Sequence, residues 1–241
     1  GMTVNSLLSS ILSSSSAGNV KIAQSGLDTY DGEGTAHTDY SLNSAFAGTL
    51  ELAARVDFTL GKGVSSDSYS QDAVITLALS GMKLNDGSTL YYNASGMTTI
   101  NNLQVADGAS ATIHFKDSDK AKAVQFAGKT QLDGDLTVST TYDGGIPFTN
   151  LVGDGSLSGS SGSGAFNTTI SSLQYTEEGE TSTFTGSLSF SGGSNVVEVS
   201  TGEGAAISFV SLSATGVNSF TFNAHHKDTL DYLCRFGINY P

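Results

Sequence analysis

Gly48-Thr49-Leu50-Glu51-Leu52-Ala53-Ala54-Arg55-Val56-Asp57-Phe58-Thr59-Leu60 carries apolar side chains at its even positions after Gly48, and polar or charged ones at every odd position but Ala53. An alternation of period two makes one face of an extended chain apolar and leaves the other wet. Tyr40, Leu42 and Phe46 keep the same phase upstream. The stretch therefore predicts one long half-buried strand, or two strands broken near Gly48.

The pattern returns along the chain. It is visible at Ala73, Ile75, Leu77 and Leu79, at Ala111, Ile113 and Phe115, and at Leu132, Leu136, Val138 and Tyr142. Further on it marks Phe184, Leu188 and Phe190, then Val197 and Val199, Ala205, Ile207 and Phe209, and Phe220 and Phe222. Strands with one apolar face and one Ser/Thr/Asp face are the signature of antiparallel sheet open to water on one side. The expected fold is all-β: a large antiparallel twisted sheet, a β-sandwich or a partly open barrel.

Turn chemistry points the same way. Asp-Gly occurs at 31–32, 86–87, 107–108, 133–134, 143–144 and 154–155. This pair favours the positive φ angles of tight hairpins. Asp86-Gly87, between Leu84 and Leu90, predicts a hairpin; Asp133-Gly134 fits a bulge or a strand start better. Glu177-Glu178-Gly179 predicts another turn.

A Gly-Xaa-Leu motif opens strands at Gly48, Gly134, Gly155 and Gly186, at intervals of 86, 21 and 31 residues. Such irregular spacing argues against a solenoid repeat and for glycine at a bend before each strand.

Helical periodicity is confined to the ends. Val4, Leu7, Leu8, Ile11 and Leu12 make one apolar stripe, predicting a helix over about 4–14. Asp228 as a cap, Leu230, Leu233 and Cys234 on one side and Gly237 as a stop predict a second over about 228–236. Strands then occupy about 35–224 of one domain, 2–241, with a possible division into halves near the Ser/Gly-rich 153–164.

Composition limits function more than it names it. Charged residues are 14% of the 241, against roughly 25% in an average globular chain. Glycine, serine and threonine, 29, 37 and 26 of them, fill the gap, while 12 Phe and 9 Tyr suffice for a core. Ten basic against 23 acidic residues give a net charge of −13, which argues against nucleic acid and anionic membranes as partners. No apolar run approaches the ~20 residues of a membrane-crossing helix. The single Cys234 excludes an internal disulfide and a multi-cysteine zinc site. Cysteine-poor, Ser/Thr/Gly-rich β chains are associated with secretion or the cell envelope, so an extracytoplasmic location, periplasmic or secreted, is expected. No signal peptide is visible, and Gly1 before Met2 reads as a tag remnant.

Chemical motifs are sparse. No nucleophile elbow, dinucleotide fingerprint, phosphate loop or zincin motif occurs. Asp28, Asp31 and Glu33 around Gly32 supply oxygen ligands of the kind calcium takes, without the spacing of an EF-hand; the segment reads first as a solvated turn. His225 and His226 are adjacent, so on extended backbone they face opposite ways, and Cys234 sits on the apolar side of its helix. Asp133 and Asp135, two apart on one predicted strand, resemble a glycosidase pair in spacing, but Trp is absent and their neighbours Thr137, Ser139 and Thr141 look like an ordinary wet face. Tyr91 and Tyr92 must face opposite sides. The expectation is a non-catalytic binding or structural protein without cofactor, calcium aside, whose partner is an envelope component or a small apolar ligand carried between a curved sheet and the terminal helices. A carbohydrate-active enzyme is the remaining alternative.

Overall fold

A computed structural model of the protein describes residues 18–23, 47–61, 77–93, 98–115, 124–140, 144–161, 166–191, 196–200, 211–215 and 219–223. The strands are β1 (Asn19–Ile22), β2 (Thr49–Leu52), β3 (Asp57–Gly61), β4 (Leu77–Leu79), β5 (Gly81–Leu84), β6 (Thr89–Asn93) and β7 (Thr98–Asn101). They continue with β8 (Leu103–Val105), β9 (Ser110–Phe115), β10 (Val124–Leu132), β11 (Asp135–Thr140), β12 (Gly144–Val152), β13 (Ser156–Ser161) and β14 (Phe166–Ser172). The last are β15 (Gln174–Glu177), β16 (Glu180–Thr183), β17 (Ser187–Ser191), β18 (Val196–Ser200), β19 (Ser211–Thr215) and β20 (Ser219–Asn223).

Two large sheets hold nearly all of them. Sheet A runs β1-β2-β5-β8-β10-β12-β14-β18-β20, with β4 beside β7 and β7 beside β10; sheet B runs β19-β17-β13-β11-β9-β6-β3. From β8 to β14 the chain alternates between sheets, and each strand pairs with the equivalent strand of the coil before it. Every pairing within sheets A and B is parallel. The architecture is a parallel β-solenoid.

This overturns the antiparallel sandwich or barrel. Alternating burial reports that one face of a strand is dry; it says nothing of direction. A parallel sheet is usually covered on both faces by crossover helices, but in a solenoid the other sheet of the same coil covers one face and water the other. The wet-face pattern is therefore the same in both folds. The helices expected over 4–14 and 228–236 lie outside the described residues, among which no helix occurs.

The irregular motif spacing misled for a related reason. Partners on successive coils are 21 residues apart from Val138 to Gly159, but 31 apart from Gly159 to Phe190. The longer coil holds a projecting antiparallel hairpin, β15–β16, whose turn residues Glu178 and Gly179 have φ of 51° and 83°. Positive φ at both central positions is what the type I′ turn of a two-residue hairpin requires. Insertions of this kind leave the rungs in register while destroying the sequence period.

Asp86-Gly87 does turn the chain, but between sheets. Ser88 N–H donates to Asn85 C=O at 3.1 Å and Gly87 has φ of 71°, a β-turn that carries the chain from β5 in sheet A to β6 in sheet B. Ala106–Ala109 repeats this turn with Gly108 at φ 69°, and Ala53–Val56 repeats it with Arg55 at φ 61°. So the 48–60 stretch breaks at this corner; β2 begins just after Gly48, and Tyr40, Leu42 and Phe46 lie outside the described residues. From β10 onward the corner tightens, and Gly134, Gly155 and Gly186 stack on one another there. A Cβ on any of them would overlap backbone of the coil before.

Sheet A bends along a second line. Ser80 separates β4 from β5, Asn102 separates β7 from β8, and the register of β10 on β12 slips between Phe126 and Lys129. Asn102 (φ 52°) donates its side-chain amide to Ser80 C=O at 3.2 Å and accepts from Lys129 N–H, while Asn150 donates to Gly128 C=O at 3.0 Å. Side-chain amides thus satisfy main-chain groups that the bend takes out of the ladders.

Inside, like stacks on like. Leu52, Leu84, Val105 and Leu132 form one buried row, and Phe58, Leu90, Ile113 and Val138 another. Phe126 and Phe148 stack with ring centroids 4.7 Å apart, continuing to Ile170. Each such side chain contributes roughly 1.5–3 kcal/mol on burial, and the rows hold the coils in register.

Candidate functional site: the outer face of sheet B

Residues that alternate with the buried rows of sheet B point outward, and parallel register aligns them in columns. One column is Asp57, Thr89, Thr112, Thr137, Ser158 and Ser189. A second is Tyr91, His114, Ser139, Ser160 and Ser191, and a third is Ser110, Asp135, Ser156 and Ser187. Of these, Asp57, Ser110, Asp135, Thr137, Ser189 and Ser191 are exposed and the rest half-buried. At the next rung the backbone register places Ser211, Ser213 and Thr215. Neighbouring strands lie about 4.7–4.9 Å apart, so hydroxyls recur at that interval along each column.

Tyr91 and His114 lie near one end of the second column, with Thr59 of the edge strand β3 paired beyond Tyr91. Their rings meet edge-on with centroids 5.7 Å apart, and His114 Nδ1 lies 2.8 Å from Ser139 Oγ. Partial burial of His114 lowers its pKa and favours the neutral imidazole. Ser156 Oγ donates to Asp135 Oδ1 at 2.7 Å, and Asp86 Oδ1 accepts from Ser110 N–H at 2.9 Å, fixing the corner beside the third column. The opposite tyrosine behaves as alternation demands: Tyr92 is buried and donates its hydroxyl to Thr98 Oγ1 at 2.9 Å.

The arrangement offers serine and threonine hydroxyls that each can donate and accept, with one aromatic pair and two carboxylates at its margins. His114 beside Ser139 has the composition of a base and a nucleophile. The strand N–H groups around the pair, however, are committed to the parallel ladders rather than turned toward a developing oxyanion.

Asp133 and Asp135 do not share a strand face. Asp133 sits at the corner between β10 and β11 and accepts from Gln131 Nε2 at 2.9 and 3.1 Å, while Asp135 belongs to the third column. Asp28, Asp31, Glu33, His225, His226 and Cys234 lie outside the described residues. Among the described residues no three His, Cys, Asp or Glu side chains gather as metal ligands would. Nor does any described helix have the length and apolarity to cross a membrane.

Sequence reasoning singled out Tyr91 and missed His114 with Ser139, which are 25 residues apart in the chain. The signal that could have found the face is the recurring Ser-Leu-Ser at 156–158, 187–189 and 211–213. Its first two instances follow Gly155 and Gly186 in the Gly-Xaa-Leu motif, but only register turns the three into a surface. No family model, no curated protein and no solved structure matches the chain.

Proposed function

We propose that this chain is a non-catalytic protein of the extracytoplasmic space, secreted or part of the cell envelope, whose working surface is the outer face of sheet B. The observation that carries the reading is the alignment of Thr89, Thr112, Thr137, Ser158 and Ser189 in one outward column. An adhesive or structural role needs a long, regular, polar face with little charge, and this face has that character. The scarcity of cysteine and the Ser/Thr/Gly excess support the location.

A carrier of a small apolar ligand has less support, because the described interior is filled by large side chains such as Phe58, Tyr92, Phe115 and Phe148. A glycosidase has less still, since Asp133 and Asp135 hold separate partners. The test is adsorption of the purified protein to the insoluble envelope fraction of its source cells. Wild type is expected to adsorb, and Thr137→Lys with Ser158→Lys to lose adsorption while melting normally. Failure of the wild type to adsorb contradicts the reading.

A further inference from the structure

Resting on that reading, we infer that the face of sheet B takes a neutral polysaccharide, laid across the strands along the columns and passing over Tyr91 and His114. The partner is chosen by what each alternative would need. A polyanion meets Asp57 and Asp135 on the face and a net charge of −13 behind it. A peptide strand adds through free main-chain groups at a sheet edge, whereas the main chain under the columns from β6 to β17 is already paired on both sides, as β11 is by β9 and β13. An apolar ligand would strip water from the column hydroxyls and offer them nothing in exchange. A chain of neutral sugars offers repeated hydroxyls that donate and accept in turn, as the columns' own do.

Two further features fit that partner. Tyr91 with His114 adds an aromatic surface with polar edges, suited to the mixed C–H and O–H faces of a sugar ring. Asp135, already holding Ser156, retains acceptor capacity for a sugar hydroxyl, since an ionised carboxylate has about four acceptor sites. From Tyr91 to Ser191 the second column spans four strand steps, about 19 Å, room for an oligosaccharide of several units. Neutral contacts make binding insensitive to salt, unlike polyanion binding.

The experiment titrates the whole protein with cellohexaose, maltohexaose, fully N-acetylated chitohexaose and mannohexaose, and with heparin. Binding of at least one neutral hexasaccharide is expected, tighter than its disaccharide and unchanged between low and high salt. Thr137→Lys with Ser158→Lys, and separately Tyr91→Ala, are expected to weaken it by about tenfold or more. Thr137→Asn with Ser158→Asn, which keeps polarity and changes shape, serves if the lysine pair fails to fold. No binding of any neutral glycan, binding indifferent to these substitutions, or salt-sensitive binding of heparin alone overturns the inference. If envelope adsorption persists while every neutral glycan fails, the inference falls and the reading of the face stands; if adsorption itself is absent, the reading falls.

Discussion

The α-carbon of Gly155 lies so close to the carbonyl oxygen of Gly134 that a Cβ built on it would overlap that oxygen. The same oxygen accepts the Ser156 N–H at 3.2 Å, and one coil later Gly155 C=O stands in the same relation to Gly186 and accepts Ser187 N–H at 3.0 Å. Close approach of the corners is thus what brings β11, β13 and β17 into register. Gly155→Ala is expected to cost more than about 4 kcal/mol, in the range reserved for backbone and core disruption. Gly108→Asn and Gly179→Asn, at positive φ with nothing near the added Cβ, should stay within about 1 kcal/mol, because Asn tolerates that conformation. Thermal melts of the three variants decide it: an unperturbed Gly155→Ala contradicts the stacked corner.

Removing the buried hydroxyl at Tyr92→Phe deletes the bond to Thr98 and should destabilise by about 1 kcal/mol. For a chain of this size that is a fall in Tm of roughly 2–4 °C. Burial raises the Tyr92 pKa, the hydrogen bond to Thr98 opposing it. The group therefore contributes stability that is full below the ordinary tyrosine value and lost as pH rises through the folded value. Wild type should lose stability at alkaline pH more steeply than the Phe variant.

On the acid side two groups act with one sign. The Asn85 amide, helped by Lys21 and Lys83, lowers the Glu51 pKa against the opposing effect of burial, and burial lowers that of His114. Both contributions are complete above the unfolded values and fade as pH falls through the folded ones. His114→Gln should flatten the decline of Tm just below the ordinary histidine value of about 6.5, leaving the carboxylate limb in place. An unchanged profile contradicts the burial assigned to His114.

The β15–β16 hairpin is an insertion, and the rungs on either side pair without it: Ser156 meets Ser187 directly. Replacing residues 175–182 with a short Gly-Ser link should cost less than about 2 kcal/mol, since loop closure depends weakly on length. A collapse of the fold on this replacement, measured by far-ultraviolet circular dichroism, would show that the hairpin is a strut.

Burial was legible in the sequence and direction was not. Ala111, Ile113 and Phe115 are inside and Thr112 and His114 outside, as their alternation requires. What alternation omits is which strand lies alongside. Leu84 and Leu90 flank an Asp-Gly that suits a hairpin, yet they enter different sheets, because the turn at Asn85–Ser88 directs the chain around the core instead of back along it. The candidate face suffered the same loss. Serines at 139 and 160 are unremarkable singly and become one column only through pairing across 21 residues. The hairpin and other inserts erase the period that would have announced it.

The central claim is that outward residues of sheet B form columns on stacked parallel coils. Paired spin labels measure it directly, at Thr112 with Ser158, Thr112 with Ser189, and Thr89 with Ser189, separated by two, three and four strand steps. The account predicts separations that lengthen in that order by about one strand spacing each, near 10, 14 and 19 Å before label length is added. Distances that fail to rise in that order, or a Thr112–Ser158 pair farther apart than Thr89–Ser189, would contradict it.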